Sequence, residues 1–559
     1  MTLAVVLATE PVGGVGEEGG GPTAALPYGP DTTLLERLLD QLAALGVHDS
    51  RIVARRELAA PLHKNGHDVI ETDDLADDLR VVAELARAAK EPVLILSGDI
   101  VAGDELLVRL VADSKAPASA VISRARSAGP PTRPVVRVSR ARVVSAGSRY
   151  HQVTDPNAVF RGILRVAPPE TKRLADAAAE LAGLAGSLRP VPPIRTREQV
   201  GGEQLERFVD RDAEGDLDGS SSRKADWAPP PVLATTPSNG DDVPALLLTG
   251  LVRSGVRVGA RGVRVLVCER ALTPEQAAAA RAAVEAVDED RVRLDAAVKG
   301  DDGFFTTYAV STYSWRIARW TARRRLTPNV VTSISMGVAV LAAVWFAAGT
   351  RAGMIVGAAL LYVAFVLDCV DGQLARYTRQ FSTLGAWLDA TFDRAKEYVA
   401  YAGLAVGSTA AAIGSSVHGG DVWRLAVAAM AVQTCRHMID FAFGAAKRRV
   451  AGGEQLPVLP LDAPDDSALD SPPQPPRAAG APDRKGLGQT AIWLSNRTEK
   501  MPGLRWAKKI VILPIGERFA LISLSAALFN AKVTFVVLLC WGLLAAGYTL
   551  TGRILRSIA

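Results

Sequence analysis

Asp368-Cys369-Val370-Asp371-Gly372-Gln373-Leu374-Ala375-Arg376, continuing through Gly385 and Asp389 to Asp393, is the stretch on which the reading of this 559-residue chain turns. Asp368 and Asp371 are three residues apart, and Asp389 and Asp393 four apart, so each pair falls on one face of a helix. Both pairs adjoin apolar runs, and an antiparallel hairpin of two such helices would turn the four carboxylates towards one another. Solvated charges at helix ends are the usual reading of a lone aspartate. Four together at the edge of hydrocarbon are expensive, at about +2.5 kcal/mol or more each at a helix centre. A divalent cation is the simplest compensation, and oxygen-only ligands point to Mg²⁺ or Mn²⁺ in a two-metal site rather than to zinc. Gly372, Ala375 and Gly385 leave room for a ligand, and Arg376 suits a phosphate.

Around this stretch the chain becomes apolar. Segments at 328–349, 352–370, 385–412, 422–446, 508–529 and 532–552 each approach or exceed the length needed to cross a bilayer, which predicts six transmembrane helices. Basic residues cluster on one side: Arg323 to Arg325, Arg376 and Arg379, Lys447 to Arg449, and Arg553 and Arg556. The positive-inside bias therefore puts both termini in the cytoplasm of a multi-pass protein of the cell membrane. Ahead of the first span, residues 301–326 interleave Phe304, Phe305, Tyr308, Trp315 and Trp320 with Arg316, Arg319 and Arg323. This pattern suits amphipathic helices lying in the headgroup plane. A Pro-rich loop at 450–500 separates the fourth and fifth spans.

The mean hydropathy of +0.15 is thus an average over two different halves. Lys+Arg 64 against Asp+Glu 59 gives +5, too little at this length to indicate a nucleic-acid binder. Four cysteines, far apart, offer neither a disulfide framework nor a CxxC metal spacing. Met1-Thr2-Leu3 has no basic run, so no cleavable signal peptide is expected. The N-terminal half alternates strand and helix: Leu3–Ala8, a glycine-rich loop, Thr33–Leu45, Arg51–Ala54, Leu75–Ala89 and Pro92–Leu96. That alternation predicts a parallel α/β sheet over residues 1–230. Residues 197–243 read as a linker, and a small α/β extension occupies 231–300.

Asp368-x2-Asp371-Gly372-x2-Ala375-Arg376-x8-Gly385-x3-Asp389-x3-Asp393 resembles the complete signature of the CDP-alcohol phosphotransferases. Thr327-Pro328-Asn329-x2-Thr332 resembles that family's entry motif. The resemblance covers 301–559, with the membrane domain at 327–559, and implies that an alcohol attacks the β-phosphorus of a CDP-linked substrate and CMP leaves. It further implies that Asp368, Asp371, Asp389 and Asp393 hold two metals and that Asp393 is the general base. Asn329, Thr332, Gly372, Ala375, Arg376, Ser382 and Gly385 would then meet the CDP moiety. Expected partners are CDP-diacylglycerol or another CDP-alcohol, a polar alcohol such as an inositol phosphate, the bilayer, and a second copy in a homodimer. Arg436 and Arg518 could line an acceptor pocket for an anionic alcohol, or snorkel to headgroups.

The N-terminal half resembles the nucleotidyltransferase (Rossmann-like) domain of bifunctional inositol-phosphate cytidylyltransferase/di-inositol-phosphate-phosphate synthases. The order of Leu3–Ala8, the glycine loop, Ala25-Leu26-Pro27 and Ser97-Gly98-Asp99 carries this likeness, with Asp99 at the metal-aspartate position. One departure matters: between Ala8 and Glu36 there is no Lys or Arg, while Glu10, Glu17 and Glu18 crowd the loop. A triphosphate would meet negative charge there, so a degenerate scaffold or regulatory module is expected. The alternatives to the phosphotransferase are the bifunctional synthase and, from another class, a cation transporter whose acids bind a travelling ion.

Overall fold

Leu3–Leu7 is apolar at every position because both of its faces are covered, as the interior strand of a parallel sheet requires. In the computed structural model the described residues are 2–12, 21–113, 116–124, 134–191, 194–195, 241–299, 302–412, 420–453, 456, 458–466 and 502–558. The glycine-rich residues 13–20, most of the expected linker, residues 413–419 and the prolines from Pro472 to Pro482 lie outside them. The chain forms two compact units. The first gathers 1–219, 224–292 and 455–477, and the second 220–223, 293–454 and 478–559.

The strands of the first unit are β1 (Leu3–Leu7), β2 (Asp49–Arg55), β3 (Val69–Thr72), β4 (Val93–Ser97), β5 (Ile100–Ala102), β6 (Ala118–Arg124) and β7 (Val135–Ser139). They continue with β8 (Arg142–Ala146), β9 (Val153–Thr154), β10 (Ala158–Val166), β11 (Ile194–Arg195), β12 (Val258–Gly262) and β13 (Cys268–Arg270). Nine of them form one sheet in the order β3-β2-β1-β4-β10-β6-β12-β8-β7. β3, β2, β1 and β4 run parallel, and β10 joins β4 antiparallel. β12 pairs with β6 and β8 inside this sheet, so residues of the expected 231–300 extension complete it. A turn at Val263–Val267 lies between β12 and β13.

Helices bury both faces of this sheet. Leu34–Ala44 opens with a reciprocal capping box: Thr33 Oγ1 accepts from Glu36 N and Glu36 Oε2 from Thr33 N. Its Leu35, Leu38 and Leu42 pack with Val6 and Leu96, while Leu79, Leu181 and Leu247 fill the other face with Val5 and Ile95. Val243–Arg253 is buried along its whole length, which suits a helix with almost no polar face.

The last piece of the first unit arrives late in the chain. Leu459 and Leu461 are buried in it, and Arg253 donates to the carbonyls of Pro460, Ala463 and Asp465. The His151 imidazole lies 2.8 Å (Nε2) from Leu461 O and 2.7 Å (Nδ1) from Ser148 Oγ. Asp466, 1% exposed, accepts from Thr154 N, Thr154 Oγ1 and Ser145 Oγ. This strap was expected to be part of an irregular Pro-rich loop.

The second unit is helical: α1 (Pro328–Ala347), α2 (Arg351–Thr378), α3 (Thr383–Ala412), α4 (Gly420–Gly453), α5 (Pro502–Ile512), α6 (Ile515–Leu528) and α7 (Ala531–Ile558), preceded by a helix at Ser314–Arg323. Among the described residues, α1, α2 and α7 are long and apolar enough to cross a membrane, and a fourth span is possible if α5 and α6 count as one. The fifth apolar segment is therefore not a straight helix but a pair bent by 70°. Pro514, which has no N–H to donate, and Leu513, at φ +53, make the break. α2 also runs on past Asp371 to Thr378, so the first aspartate pair lies inside the helix rather than at its end. Gly403 and Gly407, four residues apart on α3, touch the backbone of α1 at Ala343 and Phe346, where a side chain would collide.

Candidate active site

Three helices supply the carboxylate cluster. The first turns of α1 carry Asn329 and Thr332, α2 carries Asp368 and Asp371, and α3 carries Gly385, Asp389 and Asp393. Pro328 sits in the first turn of α1, where its missing N–H costs nothing. The Ser382 hydroxyl accepts from Gly385 N at 2.8 Å, capping the start of α3.

Carboxylate oxygens of Asp368, Asp389 and Asp393 lie within 4.8 Å of one another. Asp371 stands beside this trio, buried, and Thr332 Oγ1 donates to its Oδ2 at 2.6 Å. Asp393 Oδ1 is buried and makes no hydrogen bond. Oxygen donors at this spacing, with one unsatisfied, fit a hard divalent cation. Asp389 is exposed, so the cluster opens outward.

The residues expected to meet the CDP moiety divide into two groups. Asn329, Ser382 and Gly385 are together: a Cβ at position 385 would lie 2.7 Å from Asn329 Oδ1 and 2.9 Å from Ser382 Oγ. That contact explains why the position lacks a side chain. Gly372 faces the guanidinium of Arg376, and Arg376 Nε donates to Ala297 O. Ala375 lies on α2, four residues after Asp371.

Two interior residues escaped the sequence reading. Lys396, 1% exposed, bonds Asp368 Oδ1 through Nζ and stands 3.7 Å from Asp393 Oδ1. Its ammonium offsets part of the carboxylate charge. Glu397, fully buried, accepts from Tyr401 Oη at 2.6 Å and pairs with Arg518 Nε at 3.1 Å. The available signal was the spacing: 396 and 397 follow Asp393 by three and four, on the same helix face, in an otherwise apolar segment.

Arg436 and Arg518 meet at the break between α5 and α6. Arg436 Nη2 donates to Ile512 O at 2.8 Å and Arg518 Nη1 to Leu513 O at 3.0 Å. A helix interrupted at a proline frees carbonyls, and these two guanidinium groups satisfy them. Tyr401, Gln433, Arg436 and Arg518 line a small cavity there.

In the first unit, Asp99 follows β4 and is buried. Both its oxygens accept from Arg270 Nε, at 2.8 and 3.1 Å.

Residues 325–454 match the family model of the CDP-alcohol phosphatidyltransferases, and residues 4–167 that of the MobA-like NTP transferase domain. A bifunctional IPC transferase and DIPP synthase of Rubrobacter xylanophilus is 39% identical over 83 residues, 15% of this chain and 18% of that one. An archaetidylinositol phosphate synthase of Pyrococcus horikoshii is 35% identical over 92 residues, 16% of this chain and 47% of its own. The chain thus spans less than half the length of either relative. Among solved structures, an inositol-1-phosphate CTP transferase from T. maritima aligns with 51% of this chain and 97% of its own at 13% identity and TM-score 0.31. The phosphatidylinositol phosphate synthase of Mycobacterium tuberculosis, solved with manganese and citrate, aligns with 43% of this chain and 88% of its own at 18% identity and TM-score 0.26. This chain therefore carries a CDP-alcohol phosphatidyltransferase domain at 325–454 and, ahead of it, a MobA-like NTP transferase domain at 4–167.

Proposed function

We propose that the helical unit is an integral-membrane CDP-alcohol phosphotransferase, which displaces CMP from CDP-diacylglycerol by a polar alcohol such as an inositol phosphate. The observation that carries this reading is the convergence of Asp368, Asp389 and Asp393, with the unsatisfied Asp393 Oδ1, inside the segment that matches the family. Those three, with Asp371, would hold Mg²⁺ or Mn²⁺, which when bound stabilises the attacking and leaving oxygens on phosphorus. Asp393 takes the proton of the attacking hydroxyl at Oδ1. Lys396 holds Asp368 in place and limits the repulsion that four carboxylates would otherwise feel. Asn329, Ser382 and Gly385 form the small-residue wall against which the CDP moiety rests, with Thr332 orienting Asp371. Arg376, at Gly372, neutralises phosphate. Of the two acceptor candidates Arg436 is the stronger, because Glu397 already neutralises Arg518.

In the same reading α3 and α4 cross the bilayer alongside α1, α2, the bent pair and α7, giving six spans with both termini cytoplasmic in a homodimer. The aromatic residues Phe304, Tyr308 and Trp320, all exposed, lie at the headgroups. The test is purified full-length protein with CDP-diacylglycerol and Mg²⁺, scanned against candidate alcohols for CMP release. Asp393→Asn is expected to lower the rate about 10²–10⁴-fold, the usual worth of a general base. Wild-type protein that releases no CMP with any alcohol would remove the proposal and favour the ion-transport reading. The NTP transferase match also permits the bifunctional synthase, whose product would be water-soluble rather than a lipid.

A further inference from the structure

The carboxylate that would hold a metal in the NTP transferase unit has a built-in cation. β13 pairs antiparallel with β5, immediately after Asp99, with Arg270 opposite Ile100. Ala271 N donates to Asp99 O at 3.0 Å, which locks the register. Arg270, 7% exposed, sends Nε to both oxygens of Asp99 and Nη1 to Asp242 Oδ2 at 2.5 Å. Asp242 is fixed in turn, since its Oδ1 caps Val243–Arg253 by accepting from Ala245 N at 3.1 Å. Space has been cleared for the arginine stem. Gly162, at φ +78 beside a register shift in β10, is the point where a Cβ would lie 3.2 Å from Arg270 Cδ. Burial opposes the guanidinium charge, but Asp99, Asp242 and Glu10 outweigh it and raise its pKa.

We propose that Arg270 permanently takes the cation's place at Asp99, so that this unit does not handle metal-bound nucleoside triphosphate. The geometry agrees with a loop that offers a triphosphate no Lys or Arg between Ala8 and Glu36. A planar guanidinium is weakly hydrated and can bridge two carboxylates by charge-assisted hydrogen bonds, which suits a buried site. Resting on the phosphotransferase reading of the helical unit, a consequence follows for the reaction sequence. The CDP-linked substrate must come from a separate enzyme that condenses CTP with a phosphate monoester and releases pyrophosphate.

The experiment uses the full-length protein in detergent with EDTA, reading hydrogen exchange of the β4 amides. With Arg270 as the resident cation, Arg270→Gln leaves Asp99 and Asp242 buried without it, and Asp99→Asn takes from Arg270 the carboxylate that accepts from its Nε while Asp242 remains. Exchange should then accelerate about 100-fold or more in Arg270→Gln, and by a smaller factor in Asp99→Asn. If Asp99 instead served a removable metal, Asp99→Asn would leave exchange in EDTA unchanged or slower, which overturns the proposal. A second arm needs no variant. Wild-type protein with CTP, Mg²⁺ and inositol phosphate is expected to release no pyrophosphate above a protein-free blank. Release that tracks the enzyme and is lost in Asp99→Asn overturns it too. CMP release from CDP-diacylglycerol, read on the same wild-type preparation, reports on the helical unit alone, so its failure is separable from both arms.

Discussion

Replacing Asp466 with alanine removes the acceptor for three donors at once: Thr154 N, Thr154 Oγ1 and Ser145 Oγ. The ion pair with Arg137 Nη2, at 3.7 Å, goes with them. Each buried donor left unpaired costs about 1–3 kcal/mol. The two hydroxyls can rotate towards other acceptors, but the Thr154 amide cannot. The lower bound for each donor gives about 3 kcal/mol in total, and release of the strap sets the ceiling on the damage. If local opening governs exchange, about 3 kcal/mol is roughly a 100-fold faster exchange of the Thr154 amide. The assay is hydrogen exchange of the full-length chain at pH 7, followed on peptides that contain β9 and the strap. Asp466→Asn keeps one acceptor oxygen and should fall between wild type and alanine. A change below threefold in Asp466→Ala would refute the view that this carboxylate pins the strap.

Other perturbations bear on the same architecture. Burial, then the nearby Arg253 charge, lowers the His151 pKa from 6.5 to about 4. Above pH 6.5 the ring is neutral folded or unfolded; below it the unfolded chain binds a proton that the folded unit refuses. Stability should therefore fall by about 3 kcal/mol between pH 6.5 and 4, and His151→Gln should flatten that slope in a denaturant series. An equal slope in the variant would assign the effect elsewhere. Gly407→Val, which drives a side chain into Phe346 O, should separate α1 from α3 and leave a protein that aggregates on detergent extraction. Monodisperse Gly407→Val protein with normal CMP release would count against that contact. Arg518→Met, which strands the buried Glu397 carboxylate, should cost about 3–5 kcal/mol by thermal unfolding, with most of it recovered in Arg518→Met/Glu397→Gln. Additive losses would show that the pair is not coupled.

The sequence was most readable where one signal decides the local structure. Leu3–Ala8, Arg51–Ala54 and Pro92–Leu96 lie on β1, β2 and β4 or within a residue of them, because a short apolar run between helices has few other fates. The aspartate spacing led to a real cluster for a similar reason: the intervals three and four fix a helix face whatever surrounds it. What could not be read depended on partners distant in the chain. Arg270 and Asp99 are 171 residues apart, and nothing local marks either as half of an ion pair. Ser145 and Asp466 are 321 apart, and the prolines around the strap suggested irregular chain. Arg436 and Arg518 were legible as charges inside apolar helices, but the carbonyls they bond were not. The break at Pro514, whose carbonyls they satisfy, appears only once the helices are placed.

The strap makes the first unit discontinuous in sequence, and this has a consequence for how the protein is born. Residues up to 292 leave the ribosome long before 455–477, and α1 to α4 are made between them. At roughly 5–20 residues per second, the 292-to-455 interval lasts about 10–30 s. Through that interval the nascent unit has most of its sheet but lacks the chain that covers His151, Thr154 and Arg253. A fragment ending at residue 300 would remain in that state indefinitely. Its solubility or nucleotide chemistry would describe an unfinished folding intermediate rather than the domain as it stands in the whole protein.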